Sequence, residues 1–170
     1  MNMMRTSLCA ILLVTAAGFQ RAGREQAFTG KWNLEIGRSV NLPASFAMVK
    51  SFTMDVAGAP DSLVVTNHLS GSGQEVSFPP TIYRLDSSEV YREDTLRGSK
   101  RWIRASMLPN GSLSVWNRVV QGRGPSPQRY HQTDIWRAQN RDTLVLLVER
   151  RYDERDSVST EKRIFSRMRK

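Results

Sequence analysis

The chain has 170 residues, a formal net charge of +9 and a single Cys. That length suits one domain with its own core, and a lone cysteine excludes an internal disulfide. The basic balance favours anionic partners (anionic lipid headgroups, acidic polysaccharide, nucleic acid or a small acid), or else simply gives a soluble surface rich in Arg.

The chain opens with Arg5 ahead of an apolar run from Leu8 to Phe19, closed by small residues and then Gln20 and Arg21. A membrane-spanning helix needs about 20 apolar residues, so the run is too short to span and has the make-up of a secretory signal peptide. Residues 1–22 are therefore expected to be a leader, cut after Ala17, Gly18 or Ala22, with residues 23–170 forming one exported domain, periplasmic or secreted. Cys9 lies inside the apolar run and leaves with it, as do Arg5 and Arg21, so the remaining chain keeps +7 of the +9. No transmembrane segment is expected in the mature chain, which must be held together by its core without disulfide or thiolate chemistry.

Beyond the leader the dominant period is two. Runs of β-branched and aromatic residues are punctuated by turn residues every 8–12 positions or so, the pattern of an all-β protein. In chain order the predicted strands are Phe28–Ile36, Ser51–Val56, Leu63–Leu69, Thr81–Leu85, Glu89–Glu93, Arg101–Leu108, Ser112–Val120, Arg129–Ala138, Thr143–Tyr152 and Val158–Met168. Between the first two, "SVNLPASFAMVKS" has room for a short helical turn, and Pro43 argues against a long one. The phrases "DSLVV", "GSLSV" and "DTLVL" repeat one idea: a turn residue, Ser or Thr, then Leu63, Leu113 or Leu144 opening a return strand. A degenerate fourth copy, "SSEVY", has Glu89 in the Leu position. A hairpin cannot bury its own apolar face, so the hairpins are expected to pair edge to edge. The result is an antiparallel up-and-down meander of about 8–10 strands, closed into a barrel or folded into two packed sheets.

One hairpin can be registered. Asn110-Gly111 is a strong turn signal, and a turn symmetric about it would set Leu108 against Leu113, Ala105 against Trp116, Arg104 against Asn117, and Trp102 against Val119. One face then carries Trp102, Leu113, Val115 and Val119 with Arg104 and Asn117 opposed among them. A one-residue bulge would exchange the two faces.

Gly30-Lys31-Trp32, at the start of the first predicted strand, resembles the first signature of lipocalins and wider calycin-type barrels. Thr133-Asp134 is similar to the Thr-Asp of their second signature, with Ile135 where Tyr is expected. The order of a G-x-W, D-T-L-x-V hairpins and a late Trp136-Arg137 also resembles exported bacterial domains of unknown function. The resemblance implies a lipocalin-like barrel in which Gly30, Trp32, Asp134 and Trp136 are structural. It also implies that Trp32 packs on a late Arg or Lys, for which Arg163 and Arg167 both remain open.

An Arg facing an apolar interior needs a carboxylate, a water network or a ligand anion. Arg104 and Asn117 are thus candidate polar anchors of a pocket walled by Trp102 and Val115; the alternative is a solvated outer face with Arg104 lying along Trp102. The loop "QGRGPSPQR" at 121–129 makes Arg123 a candidate anion contact or lid, or is only a long connection. His68 and His131 lack paired metal-ligand spacing, so neither metal nor cofactor is expected. No Gly-x-Ser-x-Gly elbow or selected carboxylate pair supports catalysis, and an enzyme is the least favoured reading. The late runs "ERRYDERD" and "EKRIFSRMRK" read as exposed strand faces. Two functions remain. The first is an exported barrel that binds a small apolar, amphipathic or anionic ligand. The second is a non-catalytic structural or interaction module of the cell envelope that meets an anionic surface through a basic face, with nucleic acid disfavoured by export.

Overall fold

A computed structural model describes residues 25–169 except 72, 96–97 and 155–156. The expected leader, residues 1–22, lies outside them. Eleven antiparallel strands form one sheet: β1 Gly30–Leu34, β2 Ser51–Ala59, β3 Ser62–Gly71, β4 Gln74–Ser77, β5 Thr81–Arg84, β6 Val90–Asp94, β7 Ser99–Met107, β8 Leu113–Gln121, β9 Gln128–Asn140, β10 Thr143–Tyr152 and β11 Val158–Arg167. The expected meander is present, with β4 in addition. Gln74–Ser77 is exposed at every position, so no alternation marks it as a strand. A short 3-10 helix, Ala44–Met48, fills the segment expected to hold a brief helical turn, and another, Ile36–Arg38, precedes it, ending β1 at Leu34 and not at Ile36. No helix among the described residues is long and apolar enough to cross a membrane.

The sheet runs β4-β3-β2-β1-β11-β10-β9-β8-β7-β6, with β5 also paired to β3. Closure into a continuous barrel, expected from the strand count, is not what the ladder shows. Strands β4 and β5 sit in tandem on the free edge of β3, at His68–Gly71 and Ser62–Val65 respectively. Pro79 and Pro80 between them have no N–H to offer a neighbour. At one end the edges are pinned by a single bridge, Asp86 to Ser106, and by Ser87 N–H to the Ala105 carbonyl at 3.1 Å. At the other end no ladder joins β4 to β6 among the described residues.

That asymmetry divides the inner face. At the pinned end it is filled: Phe28, Trp32, Leu63, Leu113, Leu144 and Phe165 are at most 1% exposed. The three repeated leucines are all in this plug, which is why the phrase recurs. Trp32 donates its indole N–H to the Phe28 carbonyl at 2.8 Å, and the Arg167 guanidinium lies 4.2 Å from its ring centroid. Of the two arginines left open for that contact, Arg163 instead lies over Phe46. Gly30 has φ +125°, and a side chain there would run into the Arg167 guanidinium. Trp136 is also buried, edge-on to Phe28 and Tyr83, with its indole N–H unpartnered among the described residues.

The inner face towards the unpinned end is polar and partly open to solvent, with Phe52, Asn67, Arg92, Arg101, Gln132, Arg150 and Arg163 all half-buried. Between β1 and β2, Phe46 of the second 3-10 helix packs against Phe52, which in turn meets Phe165.

Candidate functional site

Register decides which arginines face inward. Met107 pairs with Leu113, Ala105 with Val115, Ile103 with Asn117 and Arg101 with Val119. The hairpin symmetric about Asn110-Gly111 is therefore corrected by one residue. Leu108 N–H bonds the Ser112 carbonyl, Gly111 N–H bonds the Leu108 carbonyl, and Gly111 takes φ +79°. This five-residue loop, with its glycine in the left-handed region, exchanges the faces on one side. Asn117 and Val115 point inward; Trp102 and Arg104, expected to share their face, do not. Arg104 is exposed, paired with Glu89 at 3.1 Å and 5.6 Å from the Trp116 ring centroid. Trp102 lies on the outer wall under the Arg118 guanidinium. The inward arginine of β7 is Arg101.

Two polar clusters line the open half. In the first, Gln132 donates to Asp134 at 2.8 Å and accepts from Arg150 Nε at 2.7 Å. Arg150 also pairs with Glu161, whose other oxygen accepts from Arg163 Nε at 3.0 Å and Nη2 at 2.6 Å. Reading the late charged runs as wholly exposed is thus corrected: Arg150, Glu161 and Arg163 alternate with Val148 and Phe165 on the inner face. In the second, Arg92 of β6 and Arg101 of β7 stand directly opposite each other. Arg92 reaches across the seam to the Thr81 hydroxyl and the Pro79 carbonyl. Arg101 has no ion pair among the described residues. One diagonal away, Asn117 is 2% exposed with its Oδ1 unpartnered, and Asn67 Oδ1 is likewise buried and unpartnered.

The titrations tie the clusters together. Burial pushes the Asp134 carboxyl up from 3.8 to about 6, against the Gln132 bond and the fields of Arg163, Arg101 and Arg150. Burial, then Asp134, raises the Tyr83 phenol to about 12, against Arg101, Arg92 and Arg163, so Tyr83 stays neutral. Between pH 4 and 6 the folded protein holds a proton on Asp134 that the unfolded chain has released. The group's contribution is therefore most favourable below about pH 4 and is lost as pH rises through about 6, a cost of about 3 kcal/mol at neutrality. Asp134→Asn is expected to raise stability at pH 7 by that order and to flatten the profile between pH 4 and 6. Urea midpoints across that range check it, and an unchanged difference from wild type at pH 4 and pH 7 would sink it.

Arg123 lies at the rim of the open end and donates to the Thr95 carbonyl, while Gly122 N–H bonds the Gly98 carbonyl at 3.0 Å. His68 bonds Ser77 at 2.7 Å and His131 sits 3.6 Å from Asp153. No group of three metal-binding side chains gathers among the described residues. Two hollows of about 510 and 360 Å³ open on the outside at the plugged end, bordered by Ala138, Arg141, Arg167 and by Asn110, Arg137, Gln139. They lie apart from the inward arginines and bring no buried polar group together.

No family model matches the chain and no curated protein matches it. Among solved structures, it is similar to a secretary abundant heat soluble (SAHS) protein from Ramazzottius varieornatus, with 13% identity and a TM-score of 0.50, covering 84% of this chain and 96% of that one. A REP1-NXSQ fatty acid transporter is 15% identical with a TM-score of 0.49, covering 83% and 96%. At such identity the first likeness is one of fold, an all-β antiparallel up-and-down sheet.

Proposed function

We propose that the protein is an exported carrier of a small amphipathic anion, seated in the open half of its inner face. The observation that carries this reading is the directly opposed Arg92 and Arg101, with no carboxylate between them; one diagonal away the buried Asn117 Oδ1 lacks a donor, which a hydroxyl or acid proton of a cargo would supply. Like charges opposed across a ladder are destabilising, and a half-buried guanidinium pair is stabilised by an anion that both can reach. Apolar neighbours on the same face, Val90, Ile103 and Val119, supply walls for a hydrocarbon portion. Asp134, kept buried at a cost to stability, is a further mark of an interior shaped by something other than packing.

The test is a fluorescence titration with 8-anilinonaphthalene sulfonate, an amphipathic anion. Arg101→Gln is expected to weaken binding about tenfold or more, the loss of a charge-assisted contact, while Arg104→Gln leaves it unchanged. Equal effects of the two substitutions would overturn the inner-face reading. Native mass spectrometry of the protein from its own host, beside the denatured mass, then weighs the natural cargo.

A further inference from the structure

The outer wall of β7–β10 carries a second arrangement, independent of the interior. Across the strands, Tyr91 pairs with Trp102, Trp102 with Arg118, Arg118 with His131 and His131 with Arg151. Three neighbouring strands thus set Arg118, His131 and Arg151 side by side, flanked by Arg129 two residues before His131. None of Arg118, Arg129 and Arg151 has an ion pair among the described residues, and all three are exposed. Two carboxylates touch the row without pairing with those arginines: Asp153 lies 3.6 Å from His131, and Glu93 accepts from the Tyr91 hydroxyl at 2.8 Å. Cations opposed in this way repel, and a fold that gains nothing from them would be expected to interleave acids.

The aromatic residues fix how the cations are presented. Arg118 lies 4.2 Å from the Trp102 ring centroid, Tyr91 is 5.2 Å from that ring on the other side of the row, and His131 is 5.5 Å from Trp116. A guanidinium laid on an indole is pre-organised and weakly hydrated, and its free N–H edges match carboxylate or sulfate groups. With strands about 4.8 Å apart, Arg118 and Arg151 stand about 10 Å apart on a line crossing the sheet. That is the scale of a disaccharide repeat, at which alternate anionic groups of an extended acidic sugar chain recur.

We propose that this wall is a docking surface for a linear acidic polysaccharide running across β7–β10, with Arg118 and Arg151 as the principal anion contacts and Arg129 as a third. Charge complementarity supplies the attraction, in a chain whose net charge is +9. Single-stranded nucleic acid fits less well, because bases stack on free aromatic faces and both tryptophans are covered by Arg118 and Arg104. A lipid surface fits less well too, since interfacial binding buries an apolar face and this row offers guanidinium edges.

The experiment is a calorimetric titration of the full chain with a size-defined oligogalacturonate at low salt. Arg118→Gln with Arg151→Gln is expected to weaken binding about tenfold or more, from two lost charge-assisted contacts. A control with the same charge change, Arg38→Gln with Arg141→Gln, is expected to change it less than about twofold, the scale of a screened distant charge. Arg101→Gln should leave it unaltered, separating this surface from the interior. Absence of binding at low salt, or equal weakening by the control pair, overturns the proposal. So does tighter binding of a single-stranded oligonucleotide or of phosphatidylglycerol vesicles that the Arg118 and Arg151 substitutions abolish.

Discussion

Trp32→Ala is expected to destabilise the protein by about 3–5 kcal/mol, against a total of about 5–15 kcal/mol for a typical domain. Trp32 is fully buried where β1 meets both β2 and β11, so the cavity left behind borders three strands. The substitution also strands the Phe28 carbonyl, which loses its 2.8 Å indole partner, and removes the ring beneath the Arg167 guanidinium. Trp32→Phe keeps most of the volume and should cost about 1–3 kcal/mol, chiefly the unpaired carbonyl. Urea unfolding followed by far-UV circular dichroism measures both. An Ala variant within 1 kcal/mol of wild type would mean that the plug collapses freely and does not hold β1 in place.

Glu161→Gln is the other large effect, also about 3–5 kcal/mol, because it removes the charge from a buried carboxylate that two guanidiniums share. The Glu161 side chain is 4% exposed, and Arg150 and Arg163 are 17% and 16% exposed. The neutral amide leaves two positive groups in a half-dry site with one acceptor fewer. Replacing Glu161, Arg150 and Arg163 together by Leu or Met in the Asp134→Asn background is expected to be near neutral or stabilising, since neither an orphaned guanidinium nor a carboxylate deprived of their fields then remains. Chemical denaturation of the single and triple variants separates the two cases. A Glu161→Gln variant as stable as wild type would show that solvent screens the cluster.

Much of this architecture is legible in the sequence because it follows from alternation. Leu63, Leu113 and Leu144 occur in one repeated context, and all three end in the plug at 0% exposure. Glu89, the odd member of the series, is not in the core but pairs with Arg104 on the outside. Strand β4 was illegible because an exposed edge strand needs only backbone partners, and those leave no pattern in side chains. The open seam was equally hidden: strand count fixes neither where an edge ends nor that β4 and β5 would share one side of β3.

The site was half legible for a sharper reason. The sequence groups Asn117 and Val115 with Trp102 and Arg104 on one face without deciding whether it points inward, and the hairpin register separates the two pairs. One extra residue in the loop 108–112 turns Arg104 out and Arg101 in, and Asn-Gly alone does not distinguish a two-residue turn from a longer one ending in a left-handed Gly. Strand β7 itself contained a signal, since Arg101 shares parity with Ile103 and Ala105, the small and β-branched side of "RWIRA". The same parity links Arg150 to Val148 and links Glu161 and Arg163 to Phe165. Charge density in those late runs suggested solvent on every side, and only strand partners reveal that alternate charges face one another across the interior.

The position of the seam bears on folding kinetics. The ladder joins β1 to β11, so contacts such as Arg167 with the Thr29 carbonyl unite residues 138 apart in sequence, while the gap falls mid-chain. Every pairing from β6 through β11 joins chain neighbours, as do those of β1 to β4, with β5 returning past β4 to β3, leaving two meanders with low contact order that must then find each other. The loop-closure entropy of that single encounter is expected to be the largest entropic step in folding. A circular permutant joined from residue 168 to residue 25 and opened near Ser87 would string all the strands of the main ladder in sequence order, and would be the faster folder.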